Sequence, residues 1–572
     1  MKLRSAEWFD RPDELGLQNR AVLRTLGWSR EFFEGKPVIG IANSWSELNN
    51  CNLNLRAVAQ AVKRGIMAAG GIPLEFNTLS LGEELMKPSA MLYRNLASME
   101  LEEVLRANPI DGVVMLCGCD KTTPAQLMAA ASANLPAIQV AAGPKTTGRW
   151  RGQQMGSGTD LWQYWDDYRA SKITANDWEQ IEAAYVGVGT CNTAGTASTM
   201  TLLSEALGMM LPGSATIAAT DVRRLMTAEQ SGARAVELVR RNLRPRDIMT
   251  RPAFENALRV FMAMGGSTNA VIHLIAIAGR LRVPLSSDDF NLFSQTTPVL
   301  LDVIPNGAHL MADFDSAGGL PTLMRALQDL LHMDCMTVDG LLGETLQRAA
   351  SQPGSVVRPR NNPLRTHGAI AMLHGNLAPR GAVIRTSTAS EKLQQHTGPA
   401  LVFNDYAEML ARIDRDDLPV TEASVLVLRN CGAVGVPGLP EWGAVPIPKK
   451  LLLRGVKDIV RISDSRMSGT SYGTVVLHIA PEAAIGGPLA LVQDGDLISL
   501  DVPIHELTLH VSDDVLRQRH AEWVAPPAKH QRGYPRLYAE HVLQPDEGCD
   551  FDFLRPQSDS DLAFVAPVVG RS

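Results

Sequence analysis

The chain has 572 residues, 45% of them apolar and 20% charged, and a formal net charge of -7. That length exceeds what one ordinary core fills, so two domains or more are expected. Mild acidity, scattered basic residues and few aromatics argue against nucleic-acid or anionic-membrane binding.

The opening stretch, MKLRSAEWFDRPDELG, lacks the apolar core of a signal peptide. No run of about 18 apolar residues follows, so a cytoplasmic protein with no membrane partner is expected. From residue 36 the pattern alternates. KPVIGIANSW reads as a buried strand. LNLRAVAQAVKRGIMAAGG reads as a helix with Leu55, Val58, Ala59, Val62 and Ile66 on one stripe. IDGVVMLCG is the next strand, and PAQLMAAASAN the next helix, with Thr122 or Thr123 able to cap it and Pro124 suited to its first turn. AYVGVGTC and the helical AGTASTMTLLSEALGMM continue the alternation, which predicts an α/β domain with a largely parallel sheet.

The segment Ser351 to Gly368, rich in proline, glycine and arginine, is expected to connect two domains, residues 1–360 and 361–572. The second part changes character. GPALVFND, ASVLVLRNCG and DIVRISDS read as short strands, and PLALVQDGDLISLDVP as two strands around an Asp494-Gly495 turn. A β-rich, barrel-like domain with flanking helices is predicted there.

Seven cysteines, an odd and sparse set, do not read as a disulfide framework. Three of them share a context. Cys51, Cys119 and Cys191 each precede a predicted helix, where free N–H groups and the helix dipole favour a thiolate. The strand ends of an open α/β sheet converge on one crevice, so the three can meet. Three soft ligands suit an iron–sulfur cluster with one open iron, or an open zinc site. Cys117 alternates away from Cys119 into the sheet, and Cys335, Cys431 and Cys549 read as structural.

Hard donors lie beside the soft ones. Asp120 and Lys121 adjoin Cys119, and SLGEELMKPSAM supplies Glu83 and Glu84. Carboxylates suit Mg²⁺ while thiolates suit iron. In the second part, RISDSRMSGTSYGTVVLH follows a strand with a loop of hydroxyls and backbone N–H groups able to hold an anion. Glu441 sits in the glycine/proline loop GVPGLPEWG. Ser267, Thr268 and Asn269 precede an apolar helix and read as N-capping residues.

With CDKTTPA, GTCNTAGTASTM, GGSTNAVIHLIAIAGR, GNLAPRGAV, DSRMSGTSYGTVVLH and APEAAIGGPLALV assembled, the chain resembles the dihydroxy-acid, phosphogluconate and sugar-acid dehydratases from RSAEWF to GCDFDFL. The resemblance implies a [2Fe–2S] cluster, or in the alternative [4Fe–4S], on Cys51, Cys119 and Cys191. It implies Mg²⁺ on Glu83, Asp120, Glu441 and a carbamylated Lys121, with Ser468 matching the catalytic base. Thr123, Thr470 and Ser471 are candidate substrate contacts. RMSGT and the terminal GCDFDFL look like the sugar-acid branch. Departures from the branched-chain enzymes are Glu83-Glu84 in place of their usual aspartate-glycine, and Asn50 where they carry proline. The implied activity is dehydration of a C3 to C6 aldonic acid to a 2-keto-3-deoxy acid by a homodimer or homotetramer. The rivals are a branched-chain dihydroxy-acid dehydratase and a non-catalytic iron–sulfur carrier or sensor.

Overall fold

A computed structural model describes residues 3–185, 187–349 and 354–571. The first half is built on four strands: β1 (Val38–Asn43), β2 (Ile72–Asn77), β3 (Gly112–Cys117) and β4 (Ala137–Ala141). They lie in the order β2-β1-β3-β4 and every pair is parallel. β1, β3 and β4 are buried along their whole length, which is why they read as continuous apolar runs rather than alternating ones.

The helices follow the sequence pattern. Helix α1 (Leu55–Ala68) buries Leu55, Val58, Ala59, Val62 and Ile66, the predicted stripe. Helix α2 (Arg94–Ala107) packs on α3 (Thr122–Ala133). Helix α4 (Thr196–Ala206) and helix α5 (Asn269–Arg280) are almost wholly buried, so their apolar residues run all round. Neither Thr122 nor Thr123 caps α3: the N-cap position is Lys121 and makes no side-chain cap. The strand expected at AYVGVGTC does not form over its described residues. Only a single bridge, Pro144 to Thr190, occurs there, and Val186 lies outside the described residues.

The connecting segment, described from Gly354 onward, is pinned to the first half. Val357 bridges Leu301, Arg365 bridges Val299, and Arg358 pairs with Asp302 at 2.9 Å. Eight strands follow: β5 (Ile370–Leu373), β6 (Gly381–Arg385), β7 (Gln395–Phe403), β8 (Val425–Leu428), β9 (Arg461–Ser463), β10 (Val475–Ala480), β11 (Leu497–Asp501) and β12 (Glu506–Leu509). Their order is β12-β11-β7-β8-β9-β10-β6-β5, with β7 to β10 parallel and the flanks antiparallel. The two edges nearly meet: His374 N–H donates to the His505 carbonyl and accepts from Leu507 N–H at 2.7 Å through its own carbonyl. The sheet is a nearly closed barrel, which removes most exposed edge. The Asp494-Gly495 hairpin is not where it was predicted. Pro488–Leu491 is a 3-10 turn, and the true hairpin joins β11 to β12. Asp494 instead accepts from Val402 N–H, so its turn serves β7.

The halves share apolar packing. The largest buried cluster takes in Val113 and Met128 from the first half and Met372, Val383, Met467 and Leu477 from the second. The C-terminal segment crosses back as well: Tyr538, Cys549 and Phe551 pack on Met91, Leu92 and Ile272. Arg280 and Asp550, both fully buried, form a two-pronged pair at 2.5 and 2.9 Å that anchors this return. Asp550→Ala should strand the Arg280 charge and cost about 3–5 kcal/mol, whereas an Arg280→Met, Asp550→Leu double variant should recover much of it. Denaturant unfolding of the three proteins checks this; equal loss in single and double variants would refute it.

Candidate active site

Three loops leave the C-terminal edge of the parallel sheet side by side. The loop after β1 ends in a short turn, Asn50–Asn52, in which Asn49 Oδ1 accepts the Cys51 N–H at 3.2 Å. The loop after β3 runs straight into α3, and Cys119 takes a left-handed backbone (φ 58°) to turn the corner. Gly118 before it has no alternative. A Cβ there would lie 2.3 Å from Asn52 Oδ1 and 2.9 Å from the Cys51 carbonyl oxygen. The absent side chain lets the Cys119 corner press on the Cys51 turn. Cys51 Sγ, Cys119 Sγ and a Glu84 carboxylate oxygen consequently all lie within 4.8 Å of one another.

Cys191 reaches this place from the start of the α4 region and is half-buried. Its charge interactions are with Glu84, Cys51, Lys145 and Asp120, so it belongs to the same neighbourhood. The expected thiolate stabilisation is not what the free side chains show. The Cys119 thiol is pushed well up by its hydrogen bond with Cys51 and by burial. The Cys191 thiol is pushed up by burial and then by Glu84 and Cys51. Close thiols among carboxylates resist ionisation, and a bound cationic centre would reverse that. Cys117 is buried against Ala141 and Met210, away from the group, as predicted.

The hard donors form an adjacent set. Lys121, fully buried, stands between three carboxylates: Asp120 at 2.6 Å, Glu83 at 3.6 Å and Glu441 at 3.6 Å. Burial and Arg466 work to lower the Lys121 pKa, but the three carboxylates outweigh them and hold it raised. Burial alone would favour a neutral amine here; the carboxylates keep it charged instead. Asp120, which burial alone would raise, is held below its usual range by Lys121 and Arg466. Glu83 is raised, chiefly by burial. Its Oε1 accepts from Ser89 at 2.8 Å, while its buried Oε2 makes no hydrogen bond. A buried carboxylate oxygen without a hydrogen bond, 3.6 Å from an ammonium that two further carboxylates share, fits a divalent cation.

Two residues of this set were not assigned to the site from sequence. Arg466, fully buried, donates to Glu441 at 2.8 Å and to Ser89 at 2.8 Å, and lies 3.8 Å from Glu83. Asn269 turns its side chain to Glu441 at 2.8 Å and to the Met467 carbonyl at 3.1 Å rather than capping its helix. The backbone N–H of Asn269 is met by Ser267 Oγ, and Thr268 makes no cap. GGSTNA quoted as a signature was the available signal; its capping chemistry concealed a site residue.

The loop between β9 and β10 brings Ser468. Its hydroxyl lies 2.9 Å from Thr470 Oγ1, which also accepts from Trp162 Nε1 at 3.1 Å. Arg385, fully buried at the end of β6, donates to the Gly469 carbonyl at 2.6 Å and to the Ala194 carbonyl at 3.3 Å, tying this loop to the first half. Ser471 is buried, with its N–H on the Ser468 carbonyl. Thr123 is fully buried with its hydroxyl turned back to the Cys119 carbonyl at 3.4 Å.

Residues 36–347 match the description "Dihydroxy-acid/6-phosphogluconate dehydratase N-terminal", and residues 355–549 the corresponding C-terminal description. The chain belongs to the dihydroxy-acid/6-phosphogluconate dehydratase family. It is thus a carbon–oxygen lyase that removes water. Among its relatives is the 6-deoxy-6-sulfo-D-gluconate dehydratase of Pseudomonas putida, 49% identical over 97% of this chain and 96% of that protein. The L-arabonate dehydratase of Azospirillum brasilense is 49% identical over 97% of each chain. The dihydroxy-acid dehydratase of Synechococcus sp. (strain JA-3-3Ab) is 39% identical over 93% of this chain and 95% of that one. No helix among the described residues is long and apolar enough to cross a membrane.

Arg466 links the serine loop to both Glu83 and Glu441. Arg466→Met should leave the carboxylates under-compensated and cost about 3–5 kcal/mol. Added Mg²⁺ should restore stability in the variant more than it stabilises the parent. Thermal unfolding with and without Mg²⁺ measures both; a variant as stable as the parent in chelator would contradict the assigned role.

Proposed function

We propose that the protein dehydrates an aldonic sugar acid of three to six carbons to its 2-keto-3-deoxy acid. The observation that carries this is the contact of two donor sets, thiols with Glu84 on one side and Glu83, Asp120, Lys121 and Glu441 on the other, beneath a serine loop. Relatives whose names specify sugar-acid substrates stand at 49% identity, against 39% for the dihydroxy-acid dehydratase cited.

Cys51, Cys119 and Cys191 would hold an iron–sulfur cluster, [2Fe–2S] by family resemblance. Glu83, Asp120, Glu441 and Lys121 would hold Mg²⁺. When bound, these groups supply Lewis acidity toward a carboxylate and two neighbouring hydroxyls. Lys121 would act as a carbamate, which replaces a cation at the centre of the carboxylates by an oxygen donor. The carboxylates hold the free amine protonated and CO₂ adds only to the neutral amine, so a divalent ion held by those carboxylates would favour the carbamate.

The side chains do the rest. Ser468, as its alkoxide, would take the C2 proton and pass it to the departing C3 hydroxide, which leaves as water; the resulting enol becomes the keto acid. A free serine is far too weak a base, so the loop needs the cationic surroundings that Arg466, two residues before it, begins to supply. Thr470 would hold the Ser468 hydroxyl in line. Arg466 and Asn269 keep Glu441 fixed, and Trp162 holds Thr470. A homo-oligomer, dimer or tetramer, is part of this reading by family resemblance.

Two measurements test it. Pentonates, hexonates or glycerate should be turned over with kcat/KM about 10²-fold or more above 2,3-dihydroxyisovalerate, since a polar pocket rejects a substrate that leaves its groups unpaired. The reverse preference would assign the branched-chain reaction instead. Ser468→Ala should lower kcat about 10²-fold or more and stop exchange of the C2 proton with solvent deuterium, leaving iron and Mg²⁺ content unchanged. Near-normal turnover would move the base to another residue.

A further inference from the structure

Glu84 has no place in either proposed ligand set, yet its carboxylate is one of the three donors that come within 4.8 Å of one another with Cys51 and Cys119. That set does not take in Cys191. The neighbouring Glu83 turns the other way, to Lys121, Ser89 and Arg466, and Glu84 takes no part in that ion-pair net. Two consecutive carboxylates thus diverge, one toward the hard donors and one toward the thiols.

The placement is built rather than incidental. Ser80 accepts from Asn49 Nδ2 at 3.2 Å and from Asn52 Nδ2 at 3.0 Å. Those two asparagines flank Cys51, and Asn49 also holds the Cys51 N–H. Gly82 seats the loop on the same turn: a Cβ there would come within 3.0 Å of Asn49 Cγ. The 80–84 loop is therefore stitched to the turn that carries the cysteine, which holds Glu84 against it. Glu84 is itself an exposed residue, unlike Cys51 and Cys119, which are buried.

We infer that Glu84 is an exchangeable oxygen ligand for the iron that the three cysteines leave open, bound when no substrate is present and displaced by the substrate hydroxyl. This rests on the cluster assignment made above. A hard, mobile carboxylate suits that office: it closes the coordination against solvent and oxidant, yet leaves without unfolding anything, whereas a fourth thiolate would hold too firmly.

The experiment uses the anaerobically reconstituted enzyme and its Glu84→Gln and Glu84→Asp variants. Iron and sulfide content, the visible and Mössbauer spectra without substrate, and the rate of bleaching in air are compared, with L-arabinonate as the added ligand. Expected are equal iron content in all three and an altered iron site in substrate-free Glu84→Gln. Bleaching should be about 10-fold faster in that variant, with partial rescue by aspartate. Arabinonate should erase the spectral difference. Identical substrate-free spectra and bleaching rates in parent and Glu84→Gln would overturn the inference while leaving the cluster reading intact. Loss of the cluster from a folded Glu84→Gln would also overturn it, making Glu84 a permanent rather than an exchangeable ligand. Absence of iron from the parent would instead remove the cluster reading itself. Should Glu84→Gln fail to fold, Co²⁺ bound to the apoproteins of the parent and Glu84→Asp decides: equal ligand-field spectra refute a carboxylate ligand, and a shift supports it.

Discussion

Lys121 is fully buried among Glu83, Asp120 and Glu441, and the rest of the site depends on balancing that crowd of charge. Three carboxylates at this spacing repel one another, and burial removes the water that would screen them. Lys121 and Arg466 supply two positive charges against three negative ones. The remaining imbalance, with one oxygen of Glu83 free of hydrogen bonds, suits a divalent cation. Carbamylation of Lys121, as proposed, would add a further negative charge here and so would depend on such a cation.

The same balance joins the two halves of the chain. Glu83, Asp120 and Lys121 come from loops of the parallel sheet; Glu441 and Arg466 come from the barrel. Removing either half would leave buried charge without its partner. Asn269 and Arg385 reinforce the junction from opposite sides, the first reaching into the barrel's loops and the second reaching out to the carbonyls of Ala194 and Gly469. Ser468 is thereby held on a loop whose backbone and neighbours are all spoken for, a requirement for a group that must act at one atom. The shared apolar cluster makes this arrangement a packed interior rather than a hinge.

Beside this core, exposure varies within the thiol side. Cys51 and Cys119 are buried, Cys191 is half-buried and Glu84 is exposed, while Lys121 and Arg466 are sealed. On the proposed reading, a substrate would approach past Cys191 and Glu84.

Much of this was legible in the sequence because it depends on local pattern. Continuous apolar runs announced β1 and β3, a 3.6-residue stripe announced α1, and the residues just after those strands were the ones to suspect, since parallel strands deliver their C-terminal ends to one edge. Local context also named Cys51, Cys119, Asp120 and Lys121, with Ser468 added by the family resemblance. It misplaced a hairpin at Asp494-Gly495, because a turn dipeptide does not say which strands it serves, and it promised a strand before Cys191 where one bridge formed. What only the tertiary structure decided are relations between distant residues. Arg466 meets Ser89 across 377 positions and Asn269 meets Glu441 across 172, and no spacing rule reaches that far. The titration of Cys119, Cys191 and Lys121 belongs here too: helix ends favour thiolates, but burial and the contacts made on folding push both thiols up, and at Lys121 carboxylates gathered from separate loops prevail over burial.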